Sequence, residues 1–225
     1  MLKPFILLLF CFFISEFNSF GKGKELSLKI QYNGQNNTPL IFHITGDGGM
    51  VRFDLKMLKE YQNSGFSYIG LNSIKYFMPG KTPEKVAEDL IPVIKQYSEQ
   101  WNKRTLMLVG FSFGAEIIPF LYNRLPPEMR QEMKLVVLLT PAKTSQFRIR
   151  FRDMIGIDKK KEPYNVVDET SKIKSTKVLA IYGKEEKPGL KGIAKQPNLK
   201  ILLIKGGHGF HDSKEVFRLM KKELQ

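Results

Sequence analysis

The sequence predicts an α/β fold: a mostly parallel sheet of about six to seven strands with helices on both faces. Two observations predict it. Short apolar runs alternate along the chain with stretches whose apolar residues recur at helical spacing, the pattern of parallel strands covered on both sides. One of these runs, Leu106 to Val109, ends at Gly110 and passes through Ser112 and Gly114 into Ala115, Ile117, Ile118 and Leu121, spaced as a helix. Gly-x-Ser-x-Gly between a buried strand and a helix is the nucleophile elbow of the α/β-hydrolase fold, a sharp turn that lifts one hydroxyl above the end of the sheet. The five-residue pattern alone is weak, and the strand before it and the helix after it give it meaning.

The elements follow in order. Leu26, Leu28, Ile30 and Tyr32 alternate with polar residues and read as a half-exposed opening strand. The turn-rich segment Asn33 to Pro39 leads to a second strand, Leu40 to Thr45, followed by Gly46-Asp47-Gly48-Gly49. An amphipathic helix is expected around Phe53 to Asn63, and a third strand over Phe66 to Leu71. Pro83 opens a long helix with Val86, Leu90, Val93, Ile94 and Tyr97 on one stripe. The elbow and its helix come next, closed by Pro126-Pro127. Three further strands are expected at Leu135 to Thr140, Val178 to Tyr182 and Leu199 to Ile204, then a helix from about Ser213.

Composition bounds the setting. With 225 residues, 42% of them hydrophobic and 26% charged, the chain suits one globular domain with a substantial core. Lys3, the apolar run Phe5 to Ile14 and the small residues Ser19 and Gly21 predict a secretory signal peptide over residues 1–21. The remainder, 22–225, is then a single domain with a periplasmic location. An uncleaved anchor is the alternative, although the run is shorter than the roughly 20 apolar residues of a spanning helix. Cys11, the one cysteine, lies inside this segment behind a bulky Phe10, which argues against a lipoprotein. The exported chain would therefore have no disulfide, catalytic thiolate or cysteine metal site.

The net charge of +14 draws the protein towards anionic partners, and export favours a membrane surface over nucleic acid. Between Pro141 and Thr170 the strand–helix alternation lapses. There Phe147, Ile149 and Phe151 interleave with Arg148, Arg150 and Arg152, and Lys159-Lys160-Lys161 follow. In an extended chain the arginines share one side. They form either an ordinary solvated face or a basic rim beside the active site for anionic headgroups.

A serine hydroxyl needs a base to take its proton and an acid to orient that base, and in this fold both follow the serine in the chain. His43 precedes Ser112 inside a strand and reads as a packed strand histidine. His208, directly after the last strand in Lys205-Gly206-Gly207-His208, is the expected base, with His211 as second choice. Many hydrolases of this class place the acid three residues after a glycine ending the preceding strand. Here that glycine is Gly183, so Glu186 is selected ahead of Glu185 and, more distantly, Asp168. The oxyanion hole would use backbone N–H groups of Phe113 and of the glycine loop, at Asp47 and Gly48. There is no Walker-type loop, paired-histidine metal pattern or dinucleotide fingerprint, so no cofactor is implied.

These residues resemble the AcvB/VirJ bacterial virulence proteins. The resemblance rests on Thr45 to Gly49, Asn72 to Phe77 with Thr82-Pro83, Gly110 to Glu116, Asn123 to Pro126 and Gly206-Gly207-His208. It implies an exported α/β-hydrolase acting on aminoacyl-phosphatidylglycerol such as the lysyl form, with an association with virulence and type IV secretion. Carried over, Ser112 is the nucleophile, His208 the base and Glu186 the acid. The family usually has a tryptophan after the glycine loop and a second histidine after the first, where this chain has Met50 and Gly209. A lysyl headgroup would call for acidic partners, with Asp47, Asp54 and Glu116 as candidates. Lys75, in the second of these motifs, is a further candidate substrate contact. Competing readings are another carboxylesterase and a non-catalytic periplasmic accessory protein of the secretion apparatus.

Overall fold

The computed structural model describes residues 26–35, 37–150 and 163–224. The expected signal peptide, Phe151, Arg152 and Lys159 to Lys161 lie outside the described residues. Among those described, no helix is long and apolar enough to cross a membrane.

The chain runs β1 (Leu28–Gln31), β2 (Leu40–Ile44), α1 (Arg52–Asn63), β3 (Tyr68–Leu71), α2 (Ser73–Phe77), α3 (Pro83–Gln100), β4 (Leu106–Phe111), α4 (Phe113–Asn123), α5 (Pro127–Glu132) and β5 (Met133–Leu139). After a short pairing of β6 (Thr144–Ser145) with β7 (Tyr164–Asn165) come the helix Val166–Ser171, β8 (Lys177–Gly183), β9 (Leu199–Ile204) and the C-terminal helix Ser213–Leu224. The main sheet has the order β1-β3-β2-β4-β5-β8-β9; β1 is antiparallel to β3 and the other neighbours are parallel. This is the α/β-hydrolase fold expected from the sequence.

Side-chain alternation sorts the strands' apolar residues between two cores. Leu40, Phe42, Ile44, Leu106 and Leu108 face α3 and α4, while Ile41, Met107 and Val109 face α1 and the C-terminal helix. Because both faces are covered, β2 and β4 are buried throughout. Strand order reverses between β2 and β4, since β3 lies on the far side of β2 and β5 on the far side of β4. In open parallel sheets a crevice opens at such a switch point, beyond the carboxyl ends of the strands. The glycine loop and Ser112 flank it.

Three stretches depart from expectation. The opening strand is trimmed to Leu28–Gln31, at the sheet edge, with Ile30 and Tyr32 exposed. The residues after β3 coil into α2, capped by the Asn72 side chain, which accepts the Ile74 N–H. The segment 147–150 keeps its in–out alternation, with Phe147 and Ile149 buried and Arg148 exposed, but forms no strand. Phe147 is held at φ +52°, outside the extended region that a ladder requires.

His43 is a packed strand histidine, fully buried on the α1 side. Its Nε2 lies 3.0 Å from Asp54 Oδ1 and its Nδ1 3.1 Å from the Tyr61 hydroxyl. Asp54 is therefore removed from the candidate substrate contacts: it is fully buried beneath the sheet and committed to His43. Burial, and then the charge of Asp54, push the Tyr61 phenol well above its ordinary pKa, so it stays a neutral hydrogen-bonding group. Asp54 Oδ2 has no hydrogen-bond partner, which leaves His43 as the main compensation for a buried carboxylate. Replacing His43 with leucine should lower stability by about 3 kcal/mol, measured by urea denaturation, because it strands Asp54 in the core. A loss under about 1 kcal/mol would show that the pair contributes little.

Candidate active site

Ser112 sits between β4 and α4 with φ +51° and ψ −118°, a strained conformation for a residue with a side chain. The strain is held from three directions. The Ser112 N–H donates to the Leu139 carbonyl at the end of β5 at 2.8 Å, and the Ala115 and Glu116 N–H groups both donate to the Ser112 carbonyl. The two glycines are required by close approach. A Cβ on Gly110 would lie 2.4 Å from the Gly114 carbonyl oxygen, and one on Gly114 would lie 2.1 Å from the Ile44 carbonyl oxygen. Both distances are far inside van der Waals contact with backbone that cannot rotate away.

His208 Nε2 lies 2.7 Å from Ser112 Oγ, and His208 Nδ1 lies 2.7 Å from Glu186 Oε1. The other carboxylate oxygen, Oε2, accepts the Gly183 N–H at 2.9 Å, so Glu186 is anchored to the end of β8. With Nδ1 protonated and facing the carboxylate, Nε2 is left as acceptor for the serine proton. The chain thus brings Ser112, His208 and Glu186 into one hydrogen-bonded line. Glu185 is exposed, with its carboxylate near Gly207 and not on the imidazole. Asp168 is exposed on the helix Val166–Ser171, bonded to the Asn165 that caps it. His211 is exposed, its ring beside Gly206.

The glycine loop closes a tight turn, with the Gly49 N–H donating to the Gly46 carbonyl at 3.0 Å. In such a turn the central N–H groups, of Asp47 and Gly48, are not used by the turn itself. The turn lies against the elbow: a Cβ on Gly46 would be 3.4 Å from Ser112 Cβ. Phe113 is the first residue of α4, where helix geometry leaves an N–H without an intrahelical acceptor. The glycine loop and the start of α4 therefore both lie beside Ser112. Asp47 and Lys75 are exposed at the ends of β2 and on α2, and Glu116 is partly buried in the first turn of α4.

Several supporting residues went unassigned in the sequence. Thr45 and Ser73, both fully buried, tie the glycine loop to α2: the Ser73 N–H donates to Thr45 Oγ1 at 3.0 Å and the Ser73 hydroxyl to the Thr45 carbonyl at 2.6 Å. Phe53, Phe111 and Phe210 pack together with ring centroids 4.7 to 6.3 Å apart, and Phe111 lies 5.9 Å from the His208 ring. These rings are a platform for the histidine loop. The Thr45 and Ser73 positions were at least visible as members of the motifs; the aromatic platform joins residues from three separate elements and had no local signal.

Among the described residues, no group of His, Cys, Asp and Glu could hold a metal ion. The family model described as bacterial virulence protein (VirJ) matches residues 39–225, spanning the glycine loop, the elbow and the histidine loop. The chain belongs to the VirJ family. No curated protein matches it. Solved structures similar to this VirJ-family chain include Est1E from Butyrivibrio proteoclasticus, with 18% identity over 88% of this chain and 93% of that one and a TM-score of 0.63. A study of carboxylesterases of Nitrososphaera gargenis supplies another, with 15% identity over 91% and 96% and a TM-score of 0.61. A lipase-esterase related protein from Clostridium acetobutylicum has 16% identity over 87% and 98%, also with a TM-score of 0.61. At these identities the likeness is one of fold.

The geometry separates the two neighbouring glutamates. Glu186→Gln should slow covalent labelling of Ser112 by a fluorophosphonate by about 10²-fold or more, because the imidazole loses its charged orienting partner. Glu185→Gln should leave the labelling rate within about twofold, as expected for an exposed charge off the line. The reverse ranking would move the acid to Glu185.

Proposed function

We propose that this VirJ-family protein is a serine ester hydrolase that removes the aminoacyl group from aminoacyl-phosphatidylglycerol at an anionic membrane surface. The observation that carries the hydrolase reading is the Ser112–His208–Glu186 line, with both hydrogen bonds at 2.7 Å and the serine on a strained elbow.

In this reading His208 takes the Ser112 proton as Oγ attacks the ester carbonyl, and Glu186 stabilises the imidazolium that forms. The N–H groups of Phe113 and of Asp47 or Gly48 receive the developing oxyanion. Collapse of the tetrahedral adduct breaks the bond to the glycerol oxygen, which leaves with the proton from His208. The aminoacyl group is then an ester on Ser112, and His208 deprotonates a water that releases it as the free amino acid.

The choice of substrate rests on family membership and on charge. Asp47 is exposed in the glycine loop that packs on Ser112, and Glu116 stands in the first turn of α4; in this reading they meet the lysyl ammonium groups. The His208 side chain is 55% exposed, so an ester carried on a bulky headgroup has access to the serine. The +14 net charge would hold the protein on an anionic bilayer, and export to the periplasm would place it there.

Purified protein mixed with lysyl-phosphatidylglycerol liposomes should release free lysine, and Ser112→Ala should reduce the rate by at least about 10⁴-fold. No lysine release by folded wild-type protein that still labels with fluorophosphonate would sink this substrate and leave a different carboxylic ester. Absence of both signals with retained liposome binding would instead make it a non-catalytic accessory protein.

A further inference from the structure

A cavity lies apart from Ser112, His208 and Glu186, none of which lines it. It has a volume of about 560 Å³, and its walls include Gly80, Lys81, Thr82, Lys85, Arg148 and Arg150. The loop between α2 and α3 supplies one wall and the segment after β6 the other. Both loops follow the carboxyl ends of strands, β3 and β5, so the cavity opens on the same edge of the sheet as the elbow.

The walls are fixed by backbone bonds. The Lys81 N–H donates to the Phe147 carbonyl at 2.9 Å, the Ile149 N–H to the Phe77 carbonyl at 3.2 Å, and the Gly80 N–H to the same Phe77 carbonyl at 2.9 Å. Phe147 is held at φ +52° with its ring fully buried against Phe77, Phe120 and Tyr164. That strained residue is what turns Arg148 and Arg150 outward while its own ring and Ile149 stay in the core. The Arg148 stem lies along Gly80, its Cδ 3.4 Å from where a Cβ would stand.

Among the described residues, charge around the cavity is unbalanced. Asp89, just outside it, binds Lys85 at 2.8 Å and Lys81 at 3.4 Å. Burial opposes ionisation of Asp89, but the bonds from Lys85 and Tyr76 and the charge of Lys81 outweigh it and hold the carboxyl below its usual range. Asp89 thus offsets one of two lysines. Glu88, 3.2 Å from Lys85, is 72% exposed and screened by solvent. Arg148 and Arg150 have no ion-pair partner among the described residues. Thr82 Oγ1 accepts the Lys85 N–H, and its hydroxyl bonds the Glu84 carboxylate, which also pairs with Arg124 at 2.7 Å.

We propose that this cavity is a binding site for a phosphate group, held by the Arg148 and Arg150 guanidinium groups with support from Lys81 and Lys85. A phosphate presents more acceptor oxygens than a carboxylate and can engage two guanidinium forks at once, so the two arginines favour it over a lone carboxylate. The volume exceeds that of an inorganic ion and admits a phosphodiester with a substituent. The site stands whether or not the ester cleaved at Ser112 is a lipid. Phe77 joins the two places: its carbonyl anchors the cavity walls, and its ring packs 4.9 Å from that of Phe113, the neighbour of Ser112.

Calorimetric titration with inorganic phosphate and with glycerophosphoglycerol, at low ionic strength, tests this. Both should bind the wild-type protein at one site, and Arg148→Gln and Arg150→Gln should each weaken binding at least about tenfold. Their thermal unfolding midpoints should stay near the wild-type value, since Arg148 is exposed and Arg150 is only partly buried. Tighter binding of the diester would assign a lipid headgroup, and tighter binding of phosphate a free phosphate compound. Absence of binding to the folded wild type would overturn the proposal. So would equal weakening by Lys177→Gln, at the opposite end of the sheet, because the attraction would then be only general charge.

Discussion

The contact on which the rest of the site depends is between Gly114 and the Ile44 carbonyl, with no room for a Cβ between them. It presses the start of α4 onto the end of β2. That brings the elbow and the glycine loop together at the point where strand order reverses. A parallel pairing of β2 with β4, in register from Leu40 with Leu106 to Ile44 with Gly110, carries this contact to the sheet's edge. Ser112 is then held in a conformation costing about 1 to 3 kcal/mol, which the surrounding backbone bonds and two packed cores can sustain.

Around that contact the site is assembled from loops far apart in the chain. His208 is 96 residues from Ser112 and 22 from Glu186. Neither separation is bridged by local structure. The sheet does it, by placing β4, β5, β8 and β9 side by side so that their following loops converge. The Gly183 N–H on Glu186 and the aromatic platform under His208 then remove freedom that an exposed loop would otherwise keep. An imidazole and a carboxylate held this way keep their mutual orientation without help from a ligand.

The same edge carries a second feature with opposite design. The serine stands between the glycine loop and the start of α4, whereas the cavity by Gly80 is lined by Lys81, Lys85, Arg148 and Arg150. In both places a residue with a side chain is held at positive φ, Ser112 in one and Phe147 in the other. Each strained residue redirects its neighbours: the first raises a hydroxyl, the second turns two arginines to solvent.

Much of this was legible in the residues themselves. The seven strands, the elbow and the separation of His43 from His208 follow from apolar periodicity, glycine spacing and chain order, which are local properties. Other matters were decided only in three dimensions. Glu185 and Glu186 are chemically alike and adjacent, and only the turn after β8 sends one to His208 and the other to solvent. Asp54 looked available to a cationic substrate until the packing of α1 on the sheet buried it against His43. The alternation of arginines with aromatic residues was plain, but a strand and a strained loop give the same in–out pattern over so few residues. The loop prevails because Phe147 is locked among rings from three other segments, and a contact of that kind has no signature along the chain.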